Sequence, residues 1–296
     1  MTTIIDTLRN AHTTSSYLTL PAESFQSLYD TSYNFITSGA AARSLQPDNL
    51  YNVFELHFFL SIISGKDTEA NTILTTLTDR FGQDSHRLGV LRSIYVEATD
   101  GPVKALEFLA ARPDTELGTV KRKIVILKST SQTSLYIGEL LKLVDNFPSD
   151  AESWAELASA YLDAGLYAQS IFALHEVLLL VPLAYNINAL VGETLLLYVS
   201  SLPAASSSST LAIEEKLVEA VKFFLRSVEL CEDYVRGWAG VLAATKRITE
   251  IQKPFSDASK YKRLYGVAKK TLTKIVDTKD ASDQDLNAAK TVLKNY

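Results

Sequence analysis

Two prolines place the strongest constraint on this chain. Pro148 in NFPSD and Pro182 in LVPLA stand 34 residues apart, and the residues between them follow a pattern. Counting from Ala151, Trp154 falls at position 4, Leu157 at 7, Ala158 at 8 and Tyr161 at 11. Gly165 follows at 15, Tyr167 at 17, Ser170 at 20, Leu174 at 24, Val177 at 27 and Pro182 at 32. Trp154, Leu157 and Tyr161 share one face of a helix, at i, i+3 and i+7. Gly165 stands where that helix has to stop. Leu174, Val177 and Leu178 make the matching face of a second helix. Small residues at 158 and 170 predict a close approach of the two. Pro182 ends the second helix, because proline lacks an N–H and clashes with the preceding turn.

Large residues at positions 4, 7, 11 and 24 with proline at 32 make the tetratricopeptide (TPR) pattern of paired helices. Neighbouring segments repeat it more loosely. Counting from Leu117 gives a unit ending at Pro148, with VKRKIVILKS and YIGELLKLVDNF as its helices. Counting from Tyr185 puts Gly192 at position 8, then meets a Ser-rich insert at 200–211. Beyond it Ala220 and Phe224 fit second-helix positions. Counting from Val235 returns Trp238 at position 4. Upstream, 85–112 reads as a helix pair, and 50–81 as another joined at Gly65-Lys66. The prediction is an all-α solenoid of TPR-like helix pairs in a right-handed superhelix. Residues 1–46 are expected as a loosely attached helical segment, 47–254 as the solenoid and 255–296 as a basic helical cap. Few chain breakers agree with this: twelve glycines and eight prolines in 296 residues are below the usual share of roughly 12%.

Composition excludes several classes. The net charge of −5 disfavours direct nucleic-acid binding. A single cysteine, Cys231, can form neither an internal disulfide nor a Cys-based zinc site. Its neighbours Glu229, Glu232 and Asp233 would raise a thiol pKa, which opposes a nucleophilic role. His175-Glu176 begins like HExxH, but Leu179 fills the second histidine place. There is no Gly-rich phosphate loop and no GxSxG elbow. Gly237 and Gly240 fall inside a first helix, where glycine serves close packing. No enzyme activity, cofactor or metal is expected. The longest apolar run, Val177–Ala184, has eight residues, short of the roughly 18 that a membrane span needs. The N-terminal MTTIIDTLRN does not read as a secretory signal. A soluble chain in a reducing compartment is the expectation.

A solenoid offers an extended groove rather than a catalytic crevice. First-helix positions 2, 5, 9, 12 and 13 tend to face it. They predict a partner groove of Lys121, Lys128, Glu152, Ser159, Asp163, Asn186, Glu193, Arg236, Lys246 and Arg247. That set is polar and mixed in charge, suited to an extended peptide or a partner's loop. From Lys246 to Lys279, ten Lys/Arg face three Asp/Glu. This excess reads either as a solvated helix face or as a surface for an acidic segment or anionic headgroups.

The ordered run DRFGQDSHRL, VKRKIVILKS and DAESWAELASAYLDAGLYAQSIFALHEVLLLVPLAYN resembles the family of subunit 2 of the ER membrane protein complex. SVELCEDYVRGWAGVL continues the likeness, which covers roughly residues 50–270. The resemblance implies a non-catalytic scaffold without a membrane span. Such a subunit sits at the cytoplasmic face of the endoplasmic reticulum membrane and holds cytosolic segments of the membrane-embedded subunits and its soluble neighbours. The whole complex inserts transmembrane segments, tail anchors included. The family offers no short motif of functional residues to carry over, and the Ser-rich insert and residues 1–46 depart from its pattern. The alternatives are an adaptor for chaperone tails or a scaffold in another assembly. A chaperone adaptor would clamp a terminal carboxylate with Lys and Asn, and Ala155 and Ser159 stand in those places.

Overall fold

The computed structural model describes residues 4–38, 47–113, 115–202, 207–250, 258–278 and 282–296. Among them are fifteen α-helices, one short 3-10 turn and no strand. The fold class is thus the expected all-α stack of TPR-like helix pairs. The chain divides into two compact units, 1–132 and 133–296. This division coincides with neither 46/47 nor 254/255.

The first unit holds α1 (Ile4–Thr14), α2 (Ala22–Thr37), α3 (Pro47–Ile63), α4 (Asp67–Phe81), α5 (His86–Asp100), α6 (Pro102–Ala110) and α7 (Leu117–Ser129). Helix α3 is apolar almost all round, and a helix of that kind must be covered on every side. One side, through Leu56 and Leu60, packs with Leu8 of α1 and Tyr29 of α2. Phe58 turns the other way, onto Leu74 of α4 and Leu91 of α5. The N-terminal helices are therefore firmly seated rather than loosely attached: Leu8, Leu56 and Leu60 have no exposed surface. Ala105, Leu109 and Ile126 join α6 to α7.

The second unit holds α8 (Thr133–Asn146), α9 (Ala151–Asp163), α10 (Tyr167–Leu180), α11 (Tyr185–Ser201), α12 (Ser207–Leu230), α13 (Val235–Glu250), α14 (Ala258–Thr278) and α15 (Asp283–Asn295). Helices α9/α10 and α11/α12 are the expected pairs; α13 packs against α14, which falls in the segment expected as the cap. In the first of these, the small residues meet as their spacing implied, with Ser170 Oγ donating to the Ala158 carbonyl at 2.8 Å. Of the Ser-rich stretch, α11 runs through Ser201 and α12 begins at Ser207. Both ends are therefore helical, and 203–206 lie outside the described residues.

The 34-residue period survives in the backbone. At Gly165, with φ +72°, the 165 N–H reaches the Leu162 carbonyl and the 166 N–H reaches Tyr161. This pair of bonds is a Schellman cap. Ser131, 34 residues earlier, repeats it with φ +57°: its N–H reaches Lys128, and that of Gln132 reaches Leu127. Gly65 does the same after α3. Glycine adopts this left-handed backbone without cost and serine does not.

A close approach of three helices surrounds Phe224 of α12. A Cβ added to Gly192 of α11 would lie 2.8 Å from its ring, and one added to Gly240 of α13 only 2.1 Å away. The ring is wholly buried, so it cannot yield to either side. Gly240→Ala should therefore destabilise the chain by about 2–3 kcal/mol, the scale of core overpacking. Ser131→Gly should stabilise it by about 1 kcal/mol through release of the left-handed penalty. Equilibrium denaturation of both variants checks the pair of opposite signs.

Candidate functional site

The first-helix face of the second unit is carried by α9, α11 and α13. Each contributes residues of the predicted groove. On α9, Glu152 and Asp163 are exposed near its two ends and Ser159 is half-buried between them. On α11, Asn186 is exposed and Glu193 half-buried; on α13, Arg236 and Arg247 are exposed and Lys246 half-buried. Lys121, half-buried, and Lys128, exposed, lie on α7 of the first unit.

Three of these residues tie consecutive first helices together. The Arg236 guanidinium engages the Glu193 carboxylate through both Nε and Nη2, a bidentate link from α13 to α11. The Glu193 hydrogen bonds raise the Arg236 pKa further. Arg247 Nη1 donates to the Leu196 carbonyl at 3.0 Å, and its Nη2 to Ser200 Oγ at 2.9 Å. A cation at the C-terminal end of α11 also complements the helix dipole. Lys246 lies over the ring of Tyr296, 4.6 Å from its centre. Much of the expected groove charge is thus engaged inside the fold. Glu152, Asp163 and Asn186 mark the exposed polar part of the face.

The two tryptophans perform a task that spacing did not reveal. Trp154 Nε1 donates to the Pro148 carbonyl at 3.0 Å. Trp238 Nε1 donates to the Glu232 carbonyl at 2.6 Å, again six residues upstream. Position 4 therefore closes the turn that enters each first helix. Trp154 is half-buried and packs edge-on against Phe172. A fully buried place in the pair's core is not what it occupies. Trp154→Ala should accordingly cost about 2–3 kcal/mol, below the 3–5 of a fully buried aromatic. Trp154→Phe should lose about 1 kcal/mol for the hydrogen bond. Urea melts rank the two variants.

The motifs of the first unit that carried the resemblance are latches. His86 Nδ1 lies 2.7 Å from Glu116. Arg87 engages Glu55, which also meets His12 of α1 at 3.1 Å. Of Lys121-Arg122-Lys123, it is Arg122 that turns inward, onto Ser93 and Glu97 of α5. Burial alone would raise the Glu116 carboxyl. Hydrogen bonds from Thr119, Arg112 and His86 outweigh it and hold its pKa at about 2. A carboxyl lowered from 4.5 to about 2 on folding contributes stability that is complete above the higher value and lost as pH falls towards the lower. An acid titration followed by circular dichroism should show this loss, and Glu116→Gln should flatten it.

Ser32, His57 and Glu69 form a row that could suggest a nucleophile, a base and an acid. Ser32 Oγ lies 2.8 Å from His57 Nδ1, and His57 Nε2 lies 3.9 Å from Glu69. Ser32 has no exposed surface, however, and its hydroxyl donates to the Tyr29 carbonyl. The row is a polar contact of α2, α3 and α4, buried at Ser32 and His57. Among the described residues, no group of His, Cys, Asp and Glu is placed to hold a metal ion. Among the same residues, no helix is long and apolar enough to cross a membrane.

Comparison with known proteins meets this geometry. Residues 82–205 match the family model described as the EMC2 TPR-like repeat domain. ER membrane protein complex subunit 2 of Saccharomyces cerevisiae is 28% identical over 238 residues, covering 76% of this chain and 79% of that protein. TPR repeat protein oca3 of Schizosaccharomyces pombe is 29% identical over 209 residues, 70% of each chain. Subunit 2-B of Xenopus laevis is 30% identical over 138 residues, 46% of each. The resemblance read from the sequence therefore holds, and its matched span includes the SHR turn, Arg122 and the complete α9/α10 repeat.

Proposed function

We propose that this chain, whose residues 82–205 match the model of the EMC2 TPR-like repeat domain, works as a non-catalytic scaffold subunit of the ER membrane protein complex. The observation that carries this reading is the family match over 82–205 together with the likeness to the yeast subunit over 76% of the chain. Its partners are cytosolic tails and loops of membrane-embedded subunits and the soluble subunits beside them. The face of α9, α11 and α13 supports this role, because TPR helices present an extended surface and Asp163 and Asn186 are exposed on it. The chain acts at the cytoplasmic side of the endoplasmic reticulum membrane, held there through the complex. Supporting the insertion of transmembrane segments, tail anchors included, is the activity it serves.

Helix α14 adds a second contact with the membrane surface. Lys260, Lys262, Arg263, Lys269 and Lys270 are all exposed on it. Such a row attracts anionic headgroups at roughly 1 kcal/mol per basic residue near the surface.

A tagged chain purified from mild-detergent extract tests the assignment by mass spectrometry. Recovery of a near-stoichiometric set of multi-pass endoplasmic reticulum proteins is the expected result. Recovery of soluble chaperones alone would overturn it.

A further inference from the structure

The longest apolar run of the chain, Val177–Ala184, ends on its surface: every residue from Leu179 to Leu183 is exposed. These residues continue a stripe on the outer face of α10. Phe172 and Leu179 stand two turns apart on that helix, and Leu183 follows in the turn after it. The three are 59%, 75% and 68% exposed. Trp154 of α9 packs edge-on against Phe172, and His175 stacks on Phe223 of α12, so the stripe is held from both sides. Consecutive exposed apolar residues on one helix face mark a surface that something else covers.

The repeat itself does not require them. In the preceding repeat, 34 residues earlier, the same places hold Gly138, Asp145 and Ser149. In the following one, 50 residues on because of the insert, they hold Lys222, Glu229 and Asp233. Only α10 makes this face apolar. Glu176 lies within it, one turn from both Phe172 and Leu179, and is half-buried. It is the only Asp, Glu, Lys or Arg between Asp163 and Glu193. Among the described residues it makes no ion pair and no hydrogen bond. Its counterparts in the two neighbouring repeats, Lys142 and Arg226, are cations, paired with Glu139 and Glu229 at 2.8 Å each. A carboxylate half withdrawn from water and left unpaired is unfavourable unless a donor meets it.

That charge selects among the possible covers. A second copy of this face would bring two such carboxylates together, and an anionic membrane surface would repel one. An amphipathic helix with one cation among its apolar residues suits both the stripe and the charge. We propose that the outer face of α10 docks such a helix of another protein. Its apolar residues cover Phe172, Leu179 and Leu183, and its Lys or Arg pairs with Glu176. The site is separate from the α9/α11/α13 face, and rests on the scaffold reading only in taking another protein as its occupant.

Photo-cross-linking of the full chain in cells tests this, with p-benzoylphenylalanine in place of Phe172 and mass spectrometry of the joined peptides. The expected product joins α10 to one partner segment that reads as an amphipathic helix, with a Lys or Arg within a turn of the cross-linked residue. Glu176→Lys should lower its yield roughly tenfold, the effect of an opposed charge at a docked interface. Exchange of the partner's cation for Glu should then restore it. Leu179→Gln with Leu183→Gln should lower the yield as well, while the isolated variant melts as the parent does, because exposed side chains carry little of the fold's stability. Cross-links to a second copy, to lipid, to a segment without that cation or to nothing would overturn the proposal, as would a yield unchanged by Glu176→Lys. Failure here with recovery of the complex in the pull-down would remove this docking face and leave the subunit reading intact. The expected cross-link without recovery of the complex would do the reverse.

Discussion

The second unit depends on the room left around one phenyl ring. Phe224 of α12 has no exposed surface, and it is flanked by Gly192 of α11 and Gly240 of α13. Two absent side chains thus set the spacing of three consecutive helices. Dispersion contacts of a ring held on both sides are individually small and collectively large. They also leave no slack, because interiors are packed nearly as tightly as organic crystals. The helices around Phe224 could not slide past each other without meeting it. Gly237 extends the same close contact, since a Cβ there would lie 2.7 Å from Val228.

The first unit is held by a different kind of contact. Its α5, α6 and α7 meet around charged latches. Glu116 alone is engaged by His86, Arg112 and Thr119. Arg122 joins α7 to α5, and its burial lowers its pKa. Breaking one partner of such a buried set leaves the other uncompensated, which costs far more than the pair gains. The charges therefore work as selectors of one arrangement rather than as sources of bulk stability. Bulk stability comes from the apolar sides of α3 and α4, where Leu56, Phe58, Leu60 and Ala70 are wholly covered.

The period was legible in the chain because it is written in residues with a backbone or packing consequence. Gly165 turns left-handed without the penalty that Ser131 bears, and the 158/170 pair must be small to let α9 and α10 touch. What could not be read has equally physical reasons. Helices α1 and α2 bury few apolar residues of their own, and their attachment uses a polar contact, Ser32 with His57. Apolar periodicity counts neither residue as core. The half-burial of Trp154 was hidden because spacing gives a helix face, not the depth of a side chain that must reach the Pro148 carbonyl. Of the predicted groove residues, Glu193, Arg236 and Arg247 were placed on the right helices. Their engagement with one another and with Leu196 and Ser200 of α11 is a matter of distance, which spacing does not give. The resemblance to the EMC2 repeat domain was carried by residues with such structural tasks: Arg87, Arg122 and the SHR turn.

Five arginines of this chain hold its elements together. Arg87, Arg112, Arg122, Arg236 and Arg247 all make side-chain links between elements. A guanidinium presents a rigid fork that holds a carboxylate or carbonyl in a set geometry. Lys262, Lys269 and Lys270 on α14 are exposed instead, and a solvated ammonium on a flexible stem costs little to leave there. The fold's own electrostatics are consequently separated from its surface charge. A partner or a membrane surface can neutralise the α14 lysines without disturbing the arginine links.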